Sequence, residues 1–264
     1  MSATPDEVTP TAGLPPAPPP SEPPLPRRPW GFWATLGFTL LIAVGMVLAG
    51  VSCLVPWQII SSEFHFSNKQ LDVVVEQAAA LLIVPPVLGL IFLFAWLRRK
   101  RYPLKEYLGL GLPSVSALAF WLGVQLVMCV LTDATTYLLG RDIVPPYMVE
   151  EYTKALFFPA FPLLILMIVL AYPLLEEFLV RGFLLEGFRH SFMGPVFAVL
   201  VTAGLWAITH QQYDSYGIVV ILIGGIVLGI ARLKTGCIWV CFAMHATGNL
   251  LATIEAAVKV HLMS

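Results

Sequence analysis

The chain has 264 residues, of which 58% are hydrophobic and only 12% charged, and its mean hydropathy is +0.82. Soluble globular chains carry roughly a quarter charged residues, so this composition leaves too little polar surface for a water-soluble fold. The formal net charge of −1 gives no basic surplus with which to hold a nucleic acid.

Residues 1–28 are rich in proline, with Pro15–Pro16, Pro18–Pro20 and Pro23–Pro24. Such a segment cannot bury a core and is read as a disordered or extended cytoplasmic tail, a spacer. It lacks the charged start and early apolar run of a cleavable signal peptide, so the first apolar block is expected to be a retained helix. A hydrocarbon core of about 30 Å needs roughly 20 apolar residues per helix. Blocks that approach or exceed that length fall at 31–57, 74–97, 114–139, 157–188, 192–212, 216–232 and 236–258. The predicted fold is therefore all-α, a polytopic transmembrane helix bundle of about seven spans, with six to eight as the range. Residues 29–154 supply the N-terminal transmembrane helices, and residues 155–258 the remaining spans.

Pro85–Pro86 and Pro173 are expected to bend the second and fourth spans. The polar segment 141–156 should lie outside the bilayer or along its surface. Gly225 and Gly229 are four apart in the sixth span, a small-residue step suited to close helix contact. The four cysteines, Cys53, Cys129, Cys237 and Cys241, all fall in apolar blocks and read as small packing residues.

Basic residues fall in alternate loops. Arg27 and Arg28 precede the first span, Arg98, Arg99, Lys100, Arg101 and Lys105 follow the second, Arg189 follows the fourth, and Arg232 and Lys234 end the sixth. The intervening loops hold Glu63, Asp72, Glu76, Asp142, Glu150, Glu151 and Asp214. Seven crossings with a cytoplasmic N-terminus fit that alternation, and a plasma (inner) membrane is the expected location.

Charged residues within spans are costly and point to function. In the fourth span, Glu177 and Arg181 are four apart and can pair on one helix face. Glu176 is rotated about 100° from Glu177 and has no partner in its own helix, so it is the candidate general base. His210 ends the fifth span, with Trp206 one turn earlier as a candidate pocket wall. His245 and Asn249 share a face of the seventh span, where two donors could bind a carbonyl oxygen as charge develops on it. Counted from the helix turns at about 1.5 Å per residue, Glu176 and His210 lie roughly 22–26 Å deep and His245 and Asn249 roughly 15–21 Å, within side-chain reach at the deeper end. His190 with Arg189 reads as a solvated loop, and it and His65 and His261, which lie outside the spans, carry no assigned role.

These residues resemble the CAAX prenyl protease and bacteriocin-processing family of intramembrane endopeptidases. The family is marked by E-E-x-x-x-R, F-x-x-x-H and H-x-x-x-N on separate helices. The corresponding residues here are Glu176, Glu177 and Arg181, then Trp206 and His210, then His245 and Asn249. Trp206 stands where phenylalanine is usual, and Val180 where an aromatic usually precedes the arginine. The resemblance covers roughly residues 155–255, and it implies that residues 155–258 are the catalytic membrane domain. It implies that Glu176, helped by His210, deprotonates a water that attacks a peptide carbonyl. His245 and Asn249 would stabilise the oxyanion, and Glu177 and Arg181 would brace the helix. No cofactor is expected, with zinc as the alternative, since two histidines and a glutamate could hold that ion. The partners implied are a peptide or protein substrate, either plain or lipidated, and the lipid bilayer.

Two other classes remain open on the sequence. One is a non-catalytic membrane scaffold or immunity-type protein on the same fold. The other is an ion-coupled transporter, against which stands the lack of a visible repeat.

Overall fold

The structure is a computed structural model and describes residues 28–63, 69–157 and 159–263. The proline-rich tail, save Arg28, and His65 lie outside the described residues. Every expected apolar block is a helix: α1 (Phe32–Glu63), α2 (Lys69–Leu97), α4 (Val115–Leu138), α6 (Ala160–Arg189), α7 (Gly194–Ile208), α8 (Ser215–Thr235) and α9 (Ile238–Met263). Two shorter helices join them, α3 (Leu104–Leu108) and α5 (Pro146–Ala155). Among the described residues there is no strand.

Five of these helices are long and apolar enough to cross a bilayer: α1, α2, α4, α6 and α8. The other two fall short for different reasons. With 15 residues, α7 is apolar but short, spanning about 22 Å at 1.5 Å per residue. In α9, His245, Asn249 and Glu255 dilute an otherwise apolar helix. Large apolar side chains on α1 and α4 face outward, among them Leu48, Val51, Phe120 and Val130. In a bundle without water around it, that is the lipid-facing surface.

The polar segment expected outside the spans is α5, and it is amphipathic. Its buried face, Met148, Tyr152 and Ala155, packs with Ala256 and Val260 of α9. Tyr152 Oη and Thr253 Oγ1 share a 2.7 Å hydrogen bond at that seam. Near the same end, Lys259 donates to Asp142 at 2.9 Å and Arg141 pairs with Asp214.

At the opposite end, one buried carboxylate ties four segments together. Glu186, in the last turns of α6, accepts from Tyr102 Oη at 2.7 Å. It also accepts from Nε and Nη2 of Arg189 at 2.8 Å each, and Arg232 of α8 stands 3.4 Å away. Arg232 reaches on to the Tyr107 carbonyl of α3 at 3.3 Å. Burial first, and then the bond to Glu186, hold the Tyr102 phenol above its ordinary pKa, so it remains a donor. Arg189 and His190 are therefore not a free loop: His190 Nδ1 donates to the Glu186 carbonyl at 3.1 Å.

Gly109 closes this arrangement. It caps α3 at φ 68°, and its carbonyl accepts from Ile238 N of α9 at 2.9 Å. A Cβ there would meet Arg232 Cζ at 2.7 Å and the Gly236 carbonyl at 2.8 Å. Gly140 has the same φ of 68° but nothing within 4 Å of its virtual Cβ. Gly140→Ala should cost only the left-handed backbone strain, about 1–3 kcal/mol, and Gly109→Ala clearly more. Thermal unfolding of the two variants in detergent checks this. Equal losses would mean that Arg232 moves aside freely.

Candidate active site

The fourth expected span, α6, is not a uniform α-helix. Its backbone widens into π-helical turns over Leu166–Ala171 and again over Phe178–Leu184, leaving Tyr172–Glu177 as an α-helical island between them. Such turns are rare and tend to accompany functional sites. The first has a local cause. Pro173 lacks an N–H and its ring crowds the preceding turn. Tyr172 N bonds the Met167 carbonyl, one residue further back than in an α-helix. In that register the Ile168 carbonyl would look to residue 173, which is proline and cannot donate. Asn249 of α9 supplies the missing donor, Nδ2 to Ile168 O at 2.8 Å.

The two adjacent glutamates of the island face different helices, as their rotation requires. Glu177 is fully buried. Its Oε1 accepts from Arg181 Nη1 at 2.9 Å, the expected pair, and also lies 3.0 Å from His245 Nδ1. A carboxylate oxygen accepts, so His245 carries its proton on Nδ1 in this contact. Arg181 Nη2 continues to the Gly225 carbonyl of α8 at 3.3 Å. One buried triad thus joins α6, α8 and α9.

Glu176 is half-buried and turns towards α7, where Trp206 Nε1 donates to its Oε2. The indole is the centre of the cluster. The His210 ring stands edge-on at 5.0 Å and the His245 ring edge-on at 5.2 Å, centroid to centroid. The Arg181 guanidinium lies 4.4 Å from the ring centre, an arrangement favoured by the ring's negative face. His210 Nδ1 lies 2.8 Å from the Trp206 carbonyl. A carbonyl only accepts, so Nδ1 carries hydrogen and Nε2 keeps its lone pair.

The expected site residues are therefore gathered, with one rearrangement. Glu176, Glu177, Arg181, Trp206, His210 and His245 form one cluster. Asn249 shares its helix face with His245, but one of its amide hydrogens is spent on the Ile168 carbonyl while His245 is held by Glu177. Glu176 and His210 share Trp206 between them and make no direct hydrogen bond.

Several supporting residues carried no signal as isolated letters. Gly225 is one: a Cβ there would press on Trp206 Cε3 at 3.0 Å and Ala203 Cβ at 3.1 Å. The small-residue step read from sequence as ordinary packing is thus what admits the indole. Tyr172, one turn before Glu176, and Tyr213 both lie within electrostatic reach of it. Tyr213 also stacks edge-on against Tyr147 of α5 at 4.8 Å, and burial above all raises its pKa. A second carboxyl pair lies in the spans away from this cluster, Asp133 of α4 beside Glu255 of α9. Among the described residues, no group of three or more His, Cys, Asp or Glu side chains is placed to hold a metal ion.

Residues 158–251 match the family model described as type II CAAX prenyl endopeptidase Rce1-like. The chain carries a domain of this family. Its matched stretch takes in α6 to α8 and α9 as far as Leu251, and so contains every residue of the cluster. Neither the curated proteins nor the solved structures give a match.

Removing one member of a buried ion pair strands the other and costs about 3–5 kcal/mol, whereas replacing both is far milder. Arg181→Met should lose stability in that range. Glu177→Gln combined with Arg181→Met should recover much of it. A thermal-unfolding double-mutant cycle measures the coupling, and simply additive losses would refute it.

Proposed function

We propose that this chain is an intramembrane endopeptidase that hydrolyses a peptide bond with a water activated by Glu176 and His210. The observation that carries the reading is the placement of Trp206, whose indole binds Glu176, the member of the adjacent glutamate pair with no ion pair among the described residues, and touches both histidine rings.

With Oε2 held by Trp206, Oε1 of Glu176 is the oxygen that takes a proton from water as the water oxygen bonds the peptide carbonyl carbon. The negative charge that develops on the carbonyl oxygen is met by His245, which donates from Nε2 while Glu177 holds its Nδ1–H, and by the second amide hydrogen of Asn249. Collapse of the tetrahedral species breaks the C–N bond, and the leaving amine takes up the proton held by Glu176. His210 Nε2, a lone pair fixed by the Nδ1–H bond to its own helix, serves as relay. Glu177 acts on His245 as a positioning carboxylate, and Arg181 holds that carboxylate in place.

The domain match and the apolar surroundings support a membrane-associated peptide as substrate, prenylated CAAX tails among the candidates. The alternation of basic loops supports a cytoplasmic N-terminus in a plasma membrane. No step in this scheme uses a metal.

The test is cleavage of quenched fluorogenic peptides, with and without a farnesylated CAAX tail, by the full chain in nanodiscs. Glu176→Gln should cost about three orders of magnitude in turnover, and His210→Ala or His245→Ala about two. All three should keep wild-type helicity, and a zinc chelator should leave the rate unchanged. Trp206→Phe keeps the ring and removes the N–H; it should lower kcat about tenfold, an ordinary value for a lost hydrogen bond to a charged group. Activity that survives Glu176→Gln would sink the assignment. A folded wild type inert on a broad peptide panel would favour the scaffold reading.

A further inference from the structure

The end of the bundle that carries Glu186 also holds a cavity of about 630 Å³, lined by Arg28, Pro29, Trp30, Gly31, Arg98, His190, Ser191 and Phe192. It brings together the entrance to α1, the loop after α2 and the loop between α6 and α7. None of these residues belongs to the Trp206 cluster.

The charge of this cavity is of one sign. Two arginines and a histidine line it, and no acid does. Neither Arg28 nor Arg98 has a carboxylate partner among the described residues. Arg98 instead donates Nε to the Arg28 carbonyl at 3.1 Å and lies 4.9 Å from the Trp30 ring centre. Burial first, and then the charge of Arg101, press the Arg98 guanidinium below its ordinary pKa. His190 is held in place from behind by the Glu186 carbonyl, so the cavity wall is built rather than left to mobile side chains.

The level of the cavity relative to a bilayer is marked independently. Trp33 is 76% and Phe192 79% exposed, and the two flank Phe32 at 4.9 and 5.1 Å between ring centres. Exposed large aromatics beside a spanning helix sit at the headgroup level. Basic pockets between spanning helices at that level suit anionic headgroups, at about 1 kcal/mol per cation.

We propose that this cavity is a binding site for the phosphate of an anionic phospholipid, with Arg28 and Arg98 as its cationic ligands and Trp30 as its floor. The proposal is independent of the peptidase reading, since it uses none of the proposed catalytic residues.

The test uses the full chain in phosphatidylcholine nanodiscs doped with phosphatidylglycerol, followed by native mass spectrometry of the lipids retained. Wild type should retain phosphatidylglycerol selectively. Arg28→Gln with Arg98→Gln should weaken that retention about 25-fold, from roughly fivefold per charge. Lys105→Gln with Lys234→Gln removes the same charge from exposed positions at this end, outside the cavity, and should leave it unchanged. If circular dichroism shows that the Arg98 variant misfolds, Arg28→Gln alone decides, with about a fivefold loss expected. Equal losses in the two double variants, or no selectivity in wild type, would overturn the site. Binding of inorganic phosphate in pure phosphatidylcholine discs, without retention of phosphatidylglycerol, would overturn the lipid assignment.

Discussion

A carboxylate in the interior of a membrane bundle has no water to turn to, and Glu177 shows what that imposes. An isolated ionised group in such surroundings is costly enough that it must find ionic or hydrogen-bonding partners. Glu177 takes Arg181 from its own helix and His245 from α9, and Arg181 in turn reaches the Gly225 carbonyl of α8. These bonds fix the rotation of α6 about its axis. Once Glu177 must face inward to α8 and α9, the neighbouring Glu176 is turned by about 100°, and the helix it meets there is α7. The half-exposed glutamate is thus aimed by its buried neighbour. The chemistry proposed for Glu176 depends on an ion pair that makes no contact with substrate.

The same economy appears at Asn249. As a free amide it would be one more donor facing the site. Its first duty is structural, because Pro173 deprives the Ile168 carbonyl of a backbone partner and the amide replaces it. This bond fastens α9 to the widened turn that immediately precedes the glutamate island. A substitution at Asn249 would therefore disturb both the oxyanion donors and the register of the helix carrying Glu176, and loss of activity there would not separate the two.

The helices were legible in the sequence because long apolar blocks have few alternatives in a bilayer, and the Glu177–Arg181 pair because four-residue spacing is a local property. The gathering of Glu176, Trp206, His210 and His245 followed from depth counting along helices. The partners across helices were not legible. That His245 bonds Glu177, and that Asn249 serves Ile168, depends on the rotation of α9 against α6, which no spacing within one helix encodes. Arg189 and His190 looked like a solvated loop because the carboxylate that binds them, Glu186, sits in the same apolar run and its burial is set by α3 and α8. The shortfall of α7 and α9 as spans also has a physical reason: α7 begins at a glycine–proline turn and ends before Thr209, and α9 keeps the polar residues that the site uses.

The second widened turn of α6 answers a further geometric demand. Glu177 and Glu186 are nine residues apart, so a regular α-helix, at about 100° per residue, would place them on nearly opposite faces. Yet both reach α8, Glu177 through Arg181 to Gly225 and Glu186 to Arg232. On α8, Gly225 and Arg232 are seven residues apart and lie within about 20° of one face. One α6 face must therefore meet one α8 face twice, which an unbroken α-helix could not arrange. The π-helical turns over Phe178–Leu184 take more residues per turn, and so bring Glu186 back towards the side on which Glu177 lies. The irregular backbone next to the glutamates is thus accounted for by two buried carboxylates that must both find cationic partners on or beside the same neighbouring helix.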